Sequence, residues 1–186
     1  MTGHEKSTPT TPTAATIAER ARNIRLLLLD VDGVMTDGKL YFGNDGTELK
    51  AFNILDGHGI KMLQKTGVKV GIITGRKSEL VARRAANLGI ELLVQGREDK
   101  LAALHELIDD TAITLEQIAF MGDDYPDLAV IRRVGLGLTV ANAHPVVRRH
   151  AAWQSENSGG EGAVREACDM IMQAQNTFEQ ALAEYL

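Results

Sequence analysis

The chain has 186 residues, 44% of them hydrophobic and 24% charged, with a formal net charge of −5. That is enough chain for one domain with a full core, and the acidic balance argues against a nucleic-acid surface, which shows a basic patch or stripe. One cysteine excludes an internal disulfide framework and suits a reducing compartment, and no apolar run approaches the roughly 18 residues that span a bilayer.

Residues 1–16 are Thr/Pro-rich and lack an apolar segment of leader type, which predicts a disordered tail and a cytoplasmic protein. "TIAERARNI" follows as a short helical lead-in. Strands and helices then alternate. "LLLLD", "VKVGIIT" (68–74), "ELLV" (91–94), "IAFMG" (118–122) and "VGLGLTVA" (134–141) have strand length and apolar content. Helical patterns fall at 57–66, 77–88, 98–110 and 125–132. Apolar runs separated by amphipathic helices imply a doubly wound α/β fold, a parallel sheet covered on both faces. Cys168 lies in the helical stretch "AVREACDMIMQA", where a buried core thiol is expected. The division implied is one domain over 17–175, with a C-terminal tail at 176–186.

One segment breaks the alternation. Residues 38–53, "GKLYFGNDGTELKAFN", hold two short alternating runs around Asn44-Asp45-Gly46, a hairpin signal. A hairpin inserted after the first strand stands over the carboxyl ends of the sheet, where open α/β folds bind ligands. Two strands alone are marginally stable, so a neighbouring subunit is expected to hold the apolar face that Leu40 and Phe42 present.

The first strand ends in Asp30 and Asp32, which a continued strand would aim at one side. Two carboxylates in one small volume require a cation, a shared proton or a reason to tolerate the strain. Thr74 ends a second strand, Lys100 lies in "GREDK" after a third, and Asp123, Asp124 and Asp127 lie in "GDDYPD" after a fourth. Carboxylates, one cation and one hydroxyl at one sheet edge suit Mg²⁺ and phosphoryl transfer.

The stretches "DVDGVMTDG", "IITGR", the lysine of "REDK" and "GDDYPD" resemble, in order, the four motifs of the haloacid-dehalogenase-like phosphatases. "DGHGI", "VGLGLTVANAHP" and "GGEGAVREACD" narrow the resemblance to the small-cap branch acting on 3-deoxy-D-manno-octulosonate 8-phosphate in lipopolysaccharide sugar synthesis. It covers about residues 17 to 175 and implies a Rossmann-like sheet with a hairpin flap, and a homotetramer with shared active sites. It implies Asp30 as nucleophile and Asp32 as general acid/base. Mg²⁺ is held by Asp30, Asp123 and the Asp32 backbone carbonyl, while Thr74 and Lys100 bind the phosphoryl oxygens. Asp124 and Asp127 orient Lys100 and metal-bound water. Sugar contacts are implied for Asn53, Ile54, Leu55, Asp56 and Gly57, and for Lys61, Arg76 and Arg84. Helix geometry alone does not choose between Arg83 and Arg84. Leu55 and Lys61 stand where the branch commonly has arginine, and lysine lacks its bidentate fork. The "GG" before "AVRE" is read as a hinge that brings Arg165 towards an adjoining site.

Two other readings stand beside this one. A phosphatase of a nine-carbon keto-acid phosphate would share the chemistry. A receiver domain also combines Asp, Mg²⁺, Thr and Lys, but its accepting Asp ends a middle strand and has no acid/base residue two positions later. No glycine loop of the nucleotide-binding type follows a strand, which argues against a kinase.

Overall fold

The structure is a computed structural model and describes residues 14–186. Residues 1–13 of the expected tail lie outside the described residues; Ala14–Thr16 already belong to helix α1 (Ala14–Arg22).

Strand β1 (Leu26–Leu29) is wholly buried, as four leucines between two sheet neighbours and two helical layers must be. It pairs in parallel with β4 (Lys69–Thr74) on one side and β6 (Ile118–Gly122) on the other. Strands β5 (Leu92–Gln95), β7 (Leu136–Thr139) and β8 (Trp153–Gln154) extend the sheet to the order β5-β4-β1-β6-β7-β8. The chain therefore winds outward from β1 to one edge, returns to β6 and winds to the other. This makes β1 the switch point, where two connections diverge and leave a crevice at the strand ends.

Helices α2 (Ile54–Lys65), α3 (Glu79–Leu88) and α7 (Ala163–Ala174) share a face with α1; α4 (Lys100–Ile108), α5 (Leu128–Ile131) and α6 (Pro145–His150) share the other. Cys168 is fully buried in α7 and its thiol is pushed up by that burial, so it is a core residue. The segment after residue 175 forms α8 (Phe178–Ala183), held by buried Ala181 and by Tyr185 edge-on to His58.

The hairpin is present and short. Strands β2 (Tyr41–Phe42) and β3 (Glu48–Leu49) pair antiparallel, closed by the Gly43 N–H donating to Thr47 O at 2.7 Å. Within one chain its apolar residues are not buried: Leu40, Tyr41, Phe42 and Leu49 are all exposed, as are Ile54 and Leu55 beside them.

Candidate active site

Asp30 leaves β1 with its N–H still on Met121 O at 3.0 Å, so the ladder holds its backbone while the chain turns. The turn is built by Val31 O, which accepts from the N–H groups of Val34, Met35 and Thr36, and by Thr36 Oγ1, which accepts from Gly33 N at 3.4 Å. Gly33 has φ +93, open to glycine and strained for others, and a Cβ there would lie 2.2 Å from Asp123 Oδ2. That glycine lets the catalytic loop close onto the Asp123 carboxylate. Gly159 and Gly160 support the loop from behind: a Cβ on Gly159 would meet Gly33 O at 1.7 Å. The expected hinge is therefore a close backbone contact, required because no side chain fits between the two loops.

Lys100, the first residue of α4, is 4% exposed and bridges Asp30 Oδ1 at 2.8 Å and Asp127 Oδ1 at 2.6 Å. Asp127 Oδ2 accepts from the N–H groups of Asp123 at 2.9 Å and Asp124 at 3.2 Å, so Asp127 sets the loop that carries Asp123. The expected orienting role thus fits Asp127. Asp124 is exposed and its side chain makes no contact with Lys100.

Carboxylate oxygens of Asp30, Asp123 and Asp127 come within 4.8 Å of one another. Burial pushes Asp30 up to about 6, helped by Asp127 and opposed by Lys100. Burial, then Asp30 and Asp127, push Asp123 up to about 7. One lysine does not neutralise this cluster, and a further cation would relieve it. Oxygen donors suit Mg²⁺; Asp127 already spends both oxygens on Lys100 and backbone N–H groups, which leaves Asp123 and the Asp30 oxygen that does not meet Lys100. The residues present fit the ion.

Asp32 stands apart from this cluster. Its carboxylate meets Lys50 Nζ, with Arg76 Nε 3.9 Å from the other oxygen. Thr74 ends β4 and lines the same cavity, about 730 Å³, with Asp30, Asp32, Arg76, Lys100 and Asp123. The sequence reading missed Lys50. It lies one residue past β3 with a side chain 1% exposed, and its only signal was an apolar stem on the inward-returning arm of the hairpin.

Four of the eight residues expected to contact the sugar, Asn53, Asp56, Gly57 and Arg84, make contacts within the fold. Asn53 caps α2 by accepting from Leu55 N at 2.8 Å and donates to Gly160 O at 3.2 Å. Asp56 is buried and caps a different helix, α7, accepting from Arg165 N at 2.8 Å; burial pushes it up to about 6. Gly57 is small because Arg84 fills the space, Nη2 lying 2.3 Å from where a Cβ would be. Arg84 donates to Asn53 O at 3.0 Å and stacks on Phe52, under α2 rather than in the cavity; Arg83 is exposed. Arg165 pairs with Asp169 one turn on and covers Gly59. Its backbone N–H donates to Asp56 and its side chain, partly exposed, pairs with Asp169 of the same chain. Ile54, Leu55 and Lys61 are exposed on α2 outside the cavity.

An aspartate at the switch point, a lysine counter-ion and a carboxylate cluster after the neighbouring strand are the arrangement expected of a hydrolase of the haloacid dehalogenase-like class. The comparisons agree. The haloacid dehalogenase-like hydrolase family matches residues 90–167. The 3-deoxy-D-manno-octulosonate 8-phosphate phosphatase of Yersinia pestis is 50% identical over 170 residues, covering 91% of each chain. A crystal structure of a probable YrbI family phosphatase from Pseudomonas syringae pv. phaseolica superposes with TM-score 0.91 at 53% identity, covering 92% of this chain and 98% of that one. The phosphatase of Moraxella catarrhalis, solved with magnesium ion, phosphate ion and KDO, gives 0.92 at 41% identity, covering 94% and 100%. The chain belongs to the 3-deoxy-D-manno-octulosonate 8-phosphate phosphatase family of haloacid dehalogenase-like hydrolases. It is a phosphoric monoester hydrolase, and the receiver reading falls.

Proposed function

We propose that the protein hydrolyses 3-deoxy-D-manno-octulosonate 8-phosphate in the cytoplasm, with Mg²⁺ and through an aspartyl-phosphate, supplying the sugar for lipopolysaccharide synthesis. The observation that carries this is the division of labour at the end of β1. Asp30 is locked into the cation-demanding cluster, while Asp32 faces the cavity outside it.

Asp30, Asp123 and the Asp32 backbone carbonyl would hold Mg²⁺, which neutralises phosphoryl charge when bound. Asp30 attacks phosphorus as its bond to the sugar oxygen breaks, and Asp32 gives that oxygen a proton. Asp32 then takes a proton from water as the water oxygen attacks phosphorus and the bond to Asp30 breaks. Thr74 and Lys100 hold the non-bridging oxygens. Lys100 is raised overall: burial works against its charge, but Asp30 and Asp127 outweigh it. Its two carboxylate partners therefore favour the cation in the resting site. Arg76, at the mouth and partly exposed, is the guanidinium placed to meet the acidic sugar.

Phosphate release from a panel of sugar phosphates, with Mg²⁺ and with a chelator, tests this reading. The eight-carbon acid phosphate should be turned over fastest, and chelation should stop it. Faster turnover of a nine-carbon keto-acid phosphate would move the assignment to that substrate, which the unusual Leu55 and Lys61 make the competing reading.

Assembly follows from the exposed apolar residues. Leu40, Phe42, Leu49, Ile54 and Leu55, on the hairpin and the start of α2, are large apolar residues that one chain leaves exposed. We propose a homotetramer in which hairpins pack together and a neighbour closes each site, with Ile54, Leu55 and Lys61 facing the sugar or that neighbour. Light scattering should give about four chains per particle for the intact protein and fewer for a hairpin-deleted variant. A fully active monomer would refute the shared site.

A further inference from the structure

Lys50 is a buried charged group, paired with the cavity residue Asp32, that the chemistry above does not use. Its side chain is 1% exposed although it hangs from a two-stranded ribbon whose neighbouring residues, Leu49 among them, face solvent. Lysine on such a ribbon could extend into water at no cost, so burial of its ammonium signals a built interaction. Lys50 Nζ meets Asp32 Oδ1 and lies 3.7 Å from Glu48 Oε1. Arg76 closes the ring, with Nη2 3.3 Å from Glu48 Oε1 and Nε 3.9 Å from Asp32 Oδ2. Two cations and two carboxylates thus alternate around the mouth. Three belong to the return arm of the hairpin or the loop after β4, and one to the catalytic loop.

We infer that Lys50 is a positioning residue for Asp32, making proton transfer to the leaving oxygen conditional on the docked hairpin. The inference rests on the reading of Asp32 as general acid/base. With Oδ1 held by Lys50, the carboxyl group has one orientation. Oδ2 is then the oxygen free to exchange a proton, because its nearest guanidinium nitrogen is beyond hydrogen-bonding range. Proton transfer requires donor and acceptor oxygens within about 3 Å, which a carboxyl group rotating in a water-filled mouth seldom satisfies. Displacing the hairpin would take Lys50 away and, with it, the fixed orientation of the Asp32 carboxyl group.

A positioning role acts through the leaving group, which gives a readout that a folding role lacks. Phenyl phosphate and p-nitrophenyl phosphate are close in size, but phenol leaves poorly without a proton and nitrophenol leaves readily. With full-length protein and Mg²⁺, Asp32→Asn should lose more kcat on phenyl phosphate than on p-nitrophenyl phosphate. Lys50→Met should show the same bias, about tenfold, with little change in KM, as expected when part of an acid/base contribution is lost. Lys50→Arg should recover part of the loss on phenyl phosphate. In an Asp32→Asn background Lys50→Met should add less than about threefold, because residues acting as one unit are not additive. Lys50→Gln gives the same ratio if methionine lowers the melting temperature. Equal losses on both substrates, or a change confined to KM, would overturn the role of Lys50 while Asp32→Asn kept its bias. Unbiased loss in Asp32→Asn itself would overturn the acid reading, and the positioning role with it.

Discussion

Asp30→Asn is expected to stop phosphate release almost completely, by roughly 10⁴-fold or more, the scale on which a covalent nucleophile matters. The amide is nearly isosteric, and its oxygen can still accept from Lys100, so the fold should survive. Stability should move the other way. Burial raises Asp30 from 3.8 to about 6 in the folded chain. A carboxyl raised on folding binds protons more tightly in the native state. Its contribution is therefore favourable below about 4 and is lost as pH climbs through 6. Asparagine has no such charge. Without metal, Asp30→Asn should melt at or above the wild-type temperature at pH 7.5 and show a flatter decline between pH 4 and 7. An inactive but equally or more stable variant would show that the site is electrostatically costly to maintain, as expected where function opposes stability. Wild-type-like turnover would sink the mechanism.

The α/β scaffold was legible because its signals are local. Four leucines and the β-branched run at 68–74 have the length and apolar content of strands that a two-layer cover demands. The helix at 125–132 was read as one element but divides into a tight turn at Tyr125–Asp127 and the short α5, because Asp127 turns inward to hold Lys100. Strand β8 escaped notice because two residues carry no periodicity. The polar residues that the fold gathers in one cavity were legible because each lies at or soon after the end of a strand. The sugar-binding set was less so, since a capping residue and a ligand-binding residue look alike in sequence. Asp56 caps α7 from 109 positions away, a partnership no local pattern reveals. Arg84 and Arg83 are neighbours on a short helix, and only the packing of Phe52 and Gly57 shows which one turns inward. Lys50 was missed for the same reason: its meaning lies in Asp32, 18 positions earlier.

Lys100→Met should be the most destabilising single change at the site. The ammonium is buried between Asp30 and Asp127, and a methionine of similar length fills its path but returns no charge. Two carboxylates are then left without their counter-ion, a situation that costs about 3–5 kcal/mol when a buried pair is broken. The cost must depend on pH. Asp30 already sits near 6 with Lys100 beside it, and losing the cation that opposes its burial moves it higher. At pH 5 it is protonated and the missing lysine matters less; at pH 8 the full penalty applies. Urea unfolding in chelator should therefore show a larger loss at pH 8 than at pH 5. Because Asp127 also holds the N–H groups of Asp123 and Asp124, its displacement should misplace the Asp123 carboxylate as well. Phosphate release should fall and recover little with added Mg²⁺. Equal destabilisation at both pH values would mean that Lys100 acts by packing its stem rather than as the counter-ion of the cluster, and the charge balance proposed for catalysis would have to be drawn without it.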